Sequence, residues 1–125
     1  MATRSFIARY DSTTHEYTAI YCHWDGYPEG VGATLRDHYD DDEKVRLLVN
    51  CGGLSSLGDT LGTSVPLLSG DEPSIIFESA GQMKGHYRNM WCEYGYIWED
   101  GMWKCYDLTP RYINLYSMEM ENTNV

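Results

Sequence analysis

The apolar residues near the start of the chain alternate with polar ones at a period of two, which predicts a β-hairpin. Two segments rich in aromatic and β-branched residues, RSFIARY and YTAIYCHW, flank the polar turn sequence DSTTHE. In the second segment Ile20, Cys22 and Trp24 share one face, because successive side chains of a strand point to opposite sides. The opposite face carries the other residues of that segment, Tyr17, Ala19, Tyr21 and His23.

The spacing of apolar residues then changes from two to about four, which predicts two short helices. In EGVGATLRDHY the apolar stripe consists of Val31, Leu35 and Tyr39. In DDDEKVRLLVN an aspartate N-cap precedes an apolar side made of Val45, Leu48 and Val49, and two glycines end the helix. The glycine- and serine-rich segment that follows predicts an irregular connection containing a short helical turn.

The C-terminal half is rich in predicted strands. SIIFES is one strand, and MWCEYGYIW and MWKCYDL form a hairpin around Asp100-Gly101, which suits a two-residue turn. This register places Trp98 opposite Trp103 and Tyr96 opposite Cys105. It also places six residues on one face, namely Cys92, Tyr94, Tyr96, Trp98, Trp103 and Cys105. RYINLYS is predicted as a last strand.

The order of these elements predicts an α+β fold. We expect an antiparallel β-sheet of about five strands, built from hairpins and packed on one face by two short α-helices. The length suits a single domain, residues 1–125, with a polar tail from about residue 119.

The chain contains 19 acidic and 9 basic residues, which gives a formal net charge of −10 at pH 7. Binding to nucleic acid through its phosphates requires a basic surface, so we expect no direct contact with nucleic acid. The charge is compatible with plain solubility, with a basic protein partner, or with imitation of a polyanion.

The sequence pattern predicts neither a secretory signal nor a membrane span. No apolar run approaches the roughly 20 residues that cross a bilayer. The start, MATRSFIARYDS, lacks the apolar segment of a secretory signal. We therefore expect a cytoplasmic protein of the cell that makes it, without membrane contact, in which the four cysteines are reduced thiols.

The stretch YCHWDGYPEGVG, residues 21–32, brings cysteine, histidine and aspartate close together in sequence. Cys22 and His23 are adjacent on a strand and point to opposite faces, so they are poorly placed to bind one metal ion. The chain has no C-x2-4-C pair of the kind that binds structural zinc. Cys22 is predicted to be a buried, inert thiol. We therefore expect no metal, no cofactor and no catalytic cysteine.

His23 is the better functional candidate of this stretch. A hydrogen bond from His23 to Asp25 would fix the corner, and the same pair is the candidate for a direct chemical role. Trp24 and Tyr27 are predicted as core anchors. Three glycines are expected to supply a positive φ or a close approach, namely Gly26, Gly30 and Gly32.

The segment RDHYDDDEK holds the most concentrated charge of the chain. Five acidic residues fall within seven positions, namely Asp37, Asp40, Asp41, Asp42 and Glu43. Acidic residues are favoured at a helix N-terminus, so a solvated helix start explains the run. The alternative is a patch that binds a basic groove of a partner.

The tyrosines and tryptophans supply a second set of candidates. Exposed aromatic residues are typical interface hot spots, and they also stack on nucleotide-like ligands. The candidates for such a surface are Tyr87, Tyr106, Tyr112 and Tyr116.

Beyond its chemistry, YCHWDGYPEGVGATL, followed by HY, KV, LL and GLSSLG, resembles a family of short, uncharacterised bacteriophage and prophage proteins. The resemblance covers Thr3 to about Gly58. Where the family has leucine-glycine-aspartate before LSSLG, this chain has CGG at residues 51–53. The resemblance implies no catalytic residues. It implies a phage context, in which small acidic accessory proteins are often anti-defence factors.

The leading hypothesis is a phage-encoded, non-enzymatic inhibitor of a host nucleic-acid-directed immune complex, such as a CRISPR effector. Its partner would be a host protein or protein–nucleic-acid complex with a basic surface. One alternative is a sponge for a nucleotide signal, with the glycine-rich corner and aromatic residues as its pocket. Another is a small hydrolase that uses His23 and Asp25. The sequence leaves the oligomeric state open, a homo-oligomer included.

Overall fold

The computed structural model describes residues 2–68 and 72–108, which form a mixed β-sheet with helices on both faces. Its strands are β1 (Arg4–Asp11), β2 (Glu16–Cys22), β3 (Leu54–Ser56), β4 (Val65–Pro66), β5 (Ile75–Phe77), β6 (Cys92–Glu99) and β7 (Met102–Asp107). Its helices are α1 (Ala33–His38), α2 (Asp42–Val49) and α3 (Ala80–Arg88). A π-helical turn, Pro28–Gly32, leads into α1, and a 3-10 turn, Leu61–Thr63, precedes β4.

The sheet is mixed rather than antiparallel. Its strand order is β4-β3-β2-β1-β6-β7, and β5 also pairs with β2, which makes seven strands in the described residues. The pairs β1–β6 and β2–β3 are parallel, and the other pairs are antiparallel. The expectation of about five antiparallel strands is therefore wrong in detail, although the α+β class is confirmed. A period of two is the same in parallel and antiparallel strands, so the sequence pattern does not reveal these crossovers.

Helices cover both faces of the sheet, whereas the sequence predicted cover on one face only. The π-helical turn, α1 and α2 pack on one face, where all three residues of the first predicted stripe are buried. On the other face α3 packs through Met83 and Tyr87, which lie one turn apart. The sequence pattern did not predict α3, because the helix contains Gly81 and Gly85. Glycine lowers helix propensity by about 1 kcal/mol relative to alanine. The Ser79 side chain caps its start by accepting a hydrogen bond from the amide of Gln82.

Several local predictions from the sequence are confirmed. β1 and β2 form the first hairpin, and β2 divides its residues between the two faces as the alternation requires. Asp100 and Gly101 have φ of 57° and 73°, as a type I′ hairpin turn requires. Trp98 lies opposite Trp103, and Tyr96 lies opposite Cys105.

The six residues predicted to share one face of the second hairpin do so, except for the first of them, Cys92. Ser5 pairs with Tyr94, but its neighbour Arg4 pairs with Cys92, so β6 contains an extra residue at this point. Such a bulge reverses the alternation. Cys92 therefore lies in the core beneath α3, on the face opposite to Tyr94. The predicted last strand, RYINLYS, lies outside the described residues.

The corner between β2 and α1 is built on close approach of the backbone. The Tyr96 hydroxyl donates to the carbonyl of Gly26 over 2.7 Å, and the Gly26 amide donates to the carbonyl of Thr3 over 2.8 Å. A Cβ atom on Gly26 would lie 2.7 Å from the Thr3 oxygen and 2.8 Å from the Ser5 Cβ. The glycines of this stretch were expected to supply either a positive φ or a close approach, and Gly26 supplies a close approach.

Lys84 of α3 is a buried cation, with only 3% of its surface exposed. Its ammonium lies 3.8 Å from the centroid of the Tyr106 ring, which is a cation–π geometry. Burial, and secondarily the positive charge of Arg88, lowers the pKa of the Lys84 ammonium to about 8. The folded state therefore holds this proton less tightly than the unfolded state does.

We predict that Gly26→Ala lowers the free energy of unfolding by about 1–3 kcal/mol, because the added methyl group overpacks the corner. Gly85→Ala is the matched control, since nothing lies within 4 Å of a Cβ at this helical position. It should stabilise the protein by roughly 0.5–1 kcal/mol. Urea denaturation measures both changes, and a neutral Gly26→Ala would contradict the close approach.

We predict that wild type gains stability relative to Lys84→Met as the pH rises from about 8 to about 10. In this range the unfolded state binds the Lys84 proton and the folded state does not, so deprotonation favours folding. The buried thiol and phenols act in the opposite direction, but they are present in both proteins and cancel in the difference. Urea denaturation of both proteins across this pH range measures the difference in their free energies of unfolding. Exposed Lys44→Met serves as the control, and a flat difference for Lys84→Met would disprove the effect.

Candidate functional site

The acidic run lies on the exposed connection from α1 to α2, where nearby cations balance much of its charge. Asp37 forms an ion pair with Arg36 at 2.8 Å, and Lys44 approaches Asp40 at 3.6 Å. Asp41 is the N-cap of α2, and its carboxylate accepts a hydrogen bond of 2.8 Å from the Lys44 amide. A further pair, Glu43 with Arg46, lies on the surface of α2. Exposed pairs of this kind contribute little to stability.

Asp42 differs from its neighbours because it ties α2 to the sheet. Arg9 of β1 binds it in bidentate fashion, with Nε donating to Oδ1 over 2.9 Å and Nη2 donating to Oδ2 over 2.8 Å. The indole nitrogen of Trp98 donates to Oδ1 over 3.2 Å. The hydrogen bonds from Arg9 hold the pKa of the Asp42 carboxyl below its usual range. Asp42 therefore ties α2 to the sheet while 61% of its side chain stays exposed, and its contact with a partner stays a prediction.

Part of the run opens onto a cleft of about 480 Å³, which we call the acidic cleft. Three carboxylates line it, those of Asp37, Asp40 and Asp59. Two exposed leucines supply apolar wall, Leu47 with 46% and Leu61 with 39% of its surface accessible. Lys44 and His38 also line it, and His38 lies 3.5 Å from Asp59. A cleft with carboxylates beside apolar wall suits a side chain with an aliphatic stem and a cationic end.

A second cleft, of about 670 Å³, lies where β1 begins and β2 ends, and we call it the aromatic cleft. Its lining includes Arg4, Tyr21, His23, Trp24, Glu72 and Trp91. The chain beyond β2 is held in place by β3, since the Trp24 amide donates to the carbonyl of Ser55 over 2.9 Å. The sequence pointed to His23 here, but it did not bring Arg4 or Trp91 to the same place.

Trp24 and Tyr27 were expected in the core, and this is wrong. They are 44% and 39% exposed. β2 ends at Cys22, and Asp25 has φ of 59°, so the alternation of the strand no longer applies at Trp24. Cys22 itself is buried as expected, and burial raises the pKa of its thiol to about 12.

The proposed pairing of His23 with Asp25 is also wrong. The Nδ1 atom of His23 lies 2.8 Å from the Tyr21 hydroxyl, and its ring meets Trp24 edge to face at 4.7 Å. The Asp25 carboxylate instead accepts a hydrogen bond from the Tyr27 hydroxyl over 3.3 Å. A hydrolase built on a His23–Asp25 dyad therefore lacks the hydrogen bond on which it depends.

The tyrosines proposed for an exposed surface divide into three cases. Tyr87 is 1% exposed and stacks on Phe6 with ring centroids 4.9 Å apart, so its assignment as an interface residue is wrong. Tyr106 is half-buried beneath the ammonium of Lys84. Tyr112 and Tyr116 lie outside the described residues. The large aromatic side chains exposed in the described residues are instead Trp24, Tyr27 and Trp91, of which Trp91 is 65% exposed.

No family model, curated protein or solved structure matches this chain. The resemblance to phage proteins therefore stays a prediction from the motif. Within residues 2–68 and 72–108 no cluster of three or more histidine, cysteine or acidic side chains is arranged to hold a metal ion. No helix in this part of the chain is long and apolar enough to cross a membrane.

We predict that Asp42→Asn destabilises the protein at pH 7 by roughly 1–2 kcal/mol, because Arg9 loses its bidentate acceptor. The folded-state pKa of Asp42 is lowered, so its contribution is present above the unfolded value of 3.8 and is lost as the pH falls through the folded value. The gap between wild type and variant should therefore shrink below about pH 4. Urea denaturation at several pH values measures it.

Glu43→Gln on the same helix is the matched control for Asp42→Asn. It removes the same charge from an exposed pair with Arg46 whose two hydrogen bonds lie within α2. Equal destabilisation by the two variants would show that Asp42 does not tie α2 to the sheet.

Proposed function

We propose that this chain is a phage- or prophage-encoded anti-defence binding protein that presents the acidic cleft to a basic surface of a host nucleic-acid-directed immune complex. The observation that supports the proposal most directly is the composition of this cleft. Carboxylates stand beside exposed leucines there, so one cleft offers both charge and apolar surface. The phage context comes from the resemblance of the YCHWDGYPEGVG stretch.

The charges of the acidic cleft favour a cationic occupant. Asp37 is largely neutralised by Arg36, whereas Asp40 and Asp59 face only the longer contacts of Lys44 and His38. These two carboxylates therefore carry most of the attraction for a partner. The net charge of −10 on the whole chain adds long-range steering towards a basic surface.

The apolar wall of the acidic cleft favours a binding surface over a merely solvated one. Leu47 projects from α2 and Leu61 from the 3-10 turn, and each leaves a large fraction of its side chain accessible. An arginine or lysine of the partner would lay its methylene groups against them and place its charge at the carboxylates. Proteins that bind nucleic acid display such residues on their surfaces, which fits a partner of this class.

We predict that the chain restores phage plaquing on bacteria that carry a nucleic-acid-directed defence complex, and that Asp40→Asn with Asp59→Asn impairs this. Exposed ion pairs are worth up to about 1 kcal/mol each, so binding should weaken roughly 3- to 30-fold. The measurements are plaquing efficiency on a panel of strains, each with one complex, and affinity for the purified complex that responds. That affinity should fall as salt is added.

The matched control for this test is Glu29→Gln with Glu78→Gln. These exposed residues lie outside the acidic cleft, and the double variant changes the net charge by the same amount. It should retain full activity. If the cleft variant restores plaquing as well as wild type does, the acidic cleft is not the interface. If wild type restores plaquing on no strain of the panel, the inhibitor proposal fails.

A further inference from the structure

The aromatic cleft brings together two tryptophans that are distant in sequence. Trp24 follows β2, and Trp91 precedes β6 at φ of 66°. The other tryptophans, Trp98 and Trp103, pack within the core on the α1–α2 side of the sheet. Tryptophan is highly buried on average in folded proteins, so exposed indoles on one cleft mark a surface suited to stacking.

The cleft also contains a cation. Arg4 stands at the start of β1, and its Nη1 donates to the carbonyl of Met90 over 3.3 Å, which fixes the side chain beside the cleft. A guanidinium has five N–H donors in a planar fork, so this bond leaves capacity to bind an anionic oxygen. The lining also holds one carboxylate, that of Glu72, so Arg4 is a local cation in a cleft that is not basic as a whole.

A hydrogen bond between Tyr21 and His23 fixes the His23 ring in the wall of the cleft. Burial raises the pKa of the Tyr21 phenol to about 12, so the phenol keeps its proton at neutral pH. The Tyr21 hydroxyl lies 2.8 Å from Nδ1 of His23, and this hydrogen bond orients the imidazole ring. An imidazole has two ring nitrogens, so the bond at Nδ1 leaves Nε2 as the second polar atom of the ring. The contact with Trp24 further restricts the ring.

We infer that the aromatic cleft binds a mononucleotide, with the base stacked on the indoles of Trp24 and Trp91 and the phosphate bound by Arg4. The cleft volume of about 670 Å³ falls in the range of small-ligand sites. A single nucleotide fits the charge distribution better than a nucleic-acid strand does, because a strand needs a basic groove along its backbone. The site is separate from the acidic cleft and does not depend on the proposed function.

The test uses the purified full chain with AMP and GMP as probes, followed by tryptophan fluorescence and calorimetry. We expect saturable quenching, because the exposed indoles are the ones that meet the base. Trp24→Ala and Trp91→Ala should each weaken binding by about tenfold or more, as the loss of one stacking contact does. Trp91→Phe should retain most of the affinity, because phenylalanine preserves a stacking surface.

The phosphate contact has its own variant and probes. Arg4→Gln should weaken binding of AMP and GMP by about tenfold. It should leave binding of the nucleosides adenosine and guanosine unchanged, because they carry no phosphate. Arg36→Gln and Leu61→Ala are the controls, since they alter an exposed arginine and an exposed apolar residue away from this cleft. Near-ultraviolet circular dichroism establishes that each variant is folded.

Two results would overturn the inference. One is the absence of saturable binding of AMP and GMP up to about 1 mM, where the binding free energy is only about −4 kcal/mol. The other is binding that survives both tryptophan-to-alanine changes in folded proteins. The double variant Asp40→Asn with Asp59→Asn should bind both nucleotides as wild type does, so failure of this site and failure of the acidic cleft are observed separately.

Discussion

The parallel pairing of β1 with β6 is the interaction on which the rest of the structure depends. Phe6, Ile7 and Ala8 are fully buried, because helices cover both faces of the strand and hydrogen-bonded neighbours cover both edges. The Phe6 ring lies where a side chain at Gly95 would stand, and a Cβ there would overlap the ring. A glycine in the middle of β6 therefore lets the two central strands align. That alignment brings the Arg4 end of β1 and the Trp91 end of β6 to one cleft.

The stretch from Tyr21 to Gly32 owes most of its unusual composition to architecture. Gly26 is required by the backbone of Thr3, and its carbonyl accepts the buried hydroxyl of Tyr96 from the centre of the sheet. The residues that looked reactive are separated by this geometry, since Cys22 points into the core and His23 into a cleft. The same corner that closes the fold also leaves Trp24 at the surface.

Local features of the fold could be predicted from the sequence because they depend on neighbours in the chain. The stripe of Val31, Leu35 and Tyr39, the Asp41 cap and the Asp100-Gly101 turn all follow from spacing and turn chemistry. The β1–β6 pairing could not be predicted, since its partners lie more than eighty residues apart and either direction gives the same alternation. The same limit applies to the sites. The acidic run was visible, but its tie through Asp42 to Arg9, and the meeting of Arg4 with Trp91, required the folded chain.

The late position of β6 in the chain has a consequence for synthesis in the cell. Ribosomes add about 5–20 residues per second, so roughly 5–20 s pass between the synthesis of β1 and the synthesis of its parallel partner β6. During that interval the hairpin of β1 and β2 presents an apolar edge that can pair with other nascent chains. Pairings between distant segments also close slowly, because the entropy of a long loop is lost before any contact is gained. An open strand edge and a slow final pairing together favour contacts between neighbouring nascent chains.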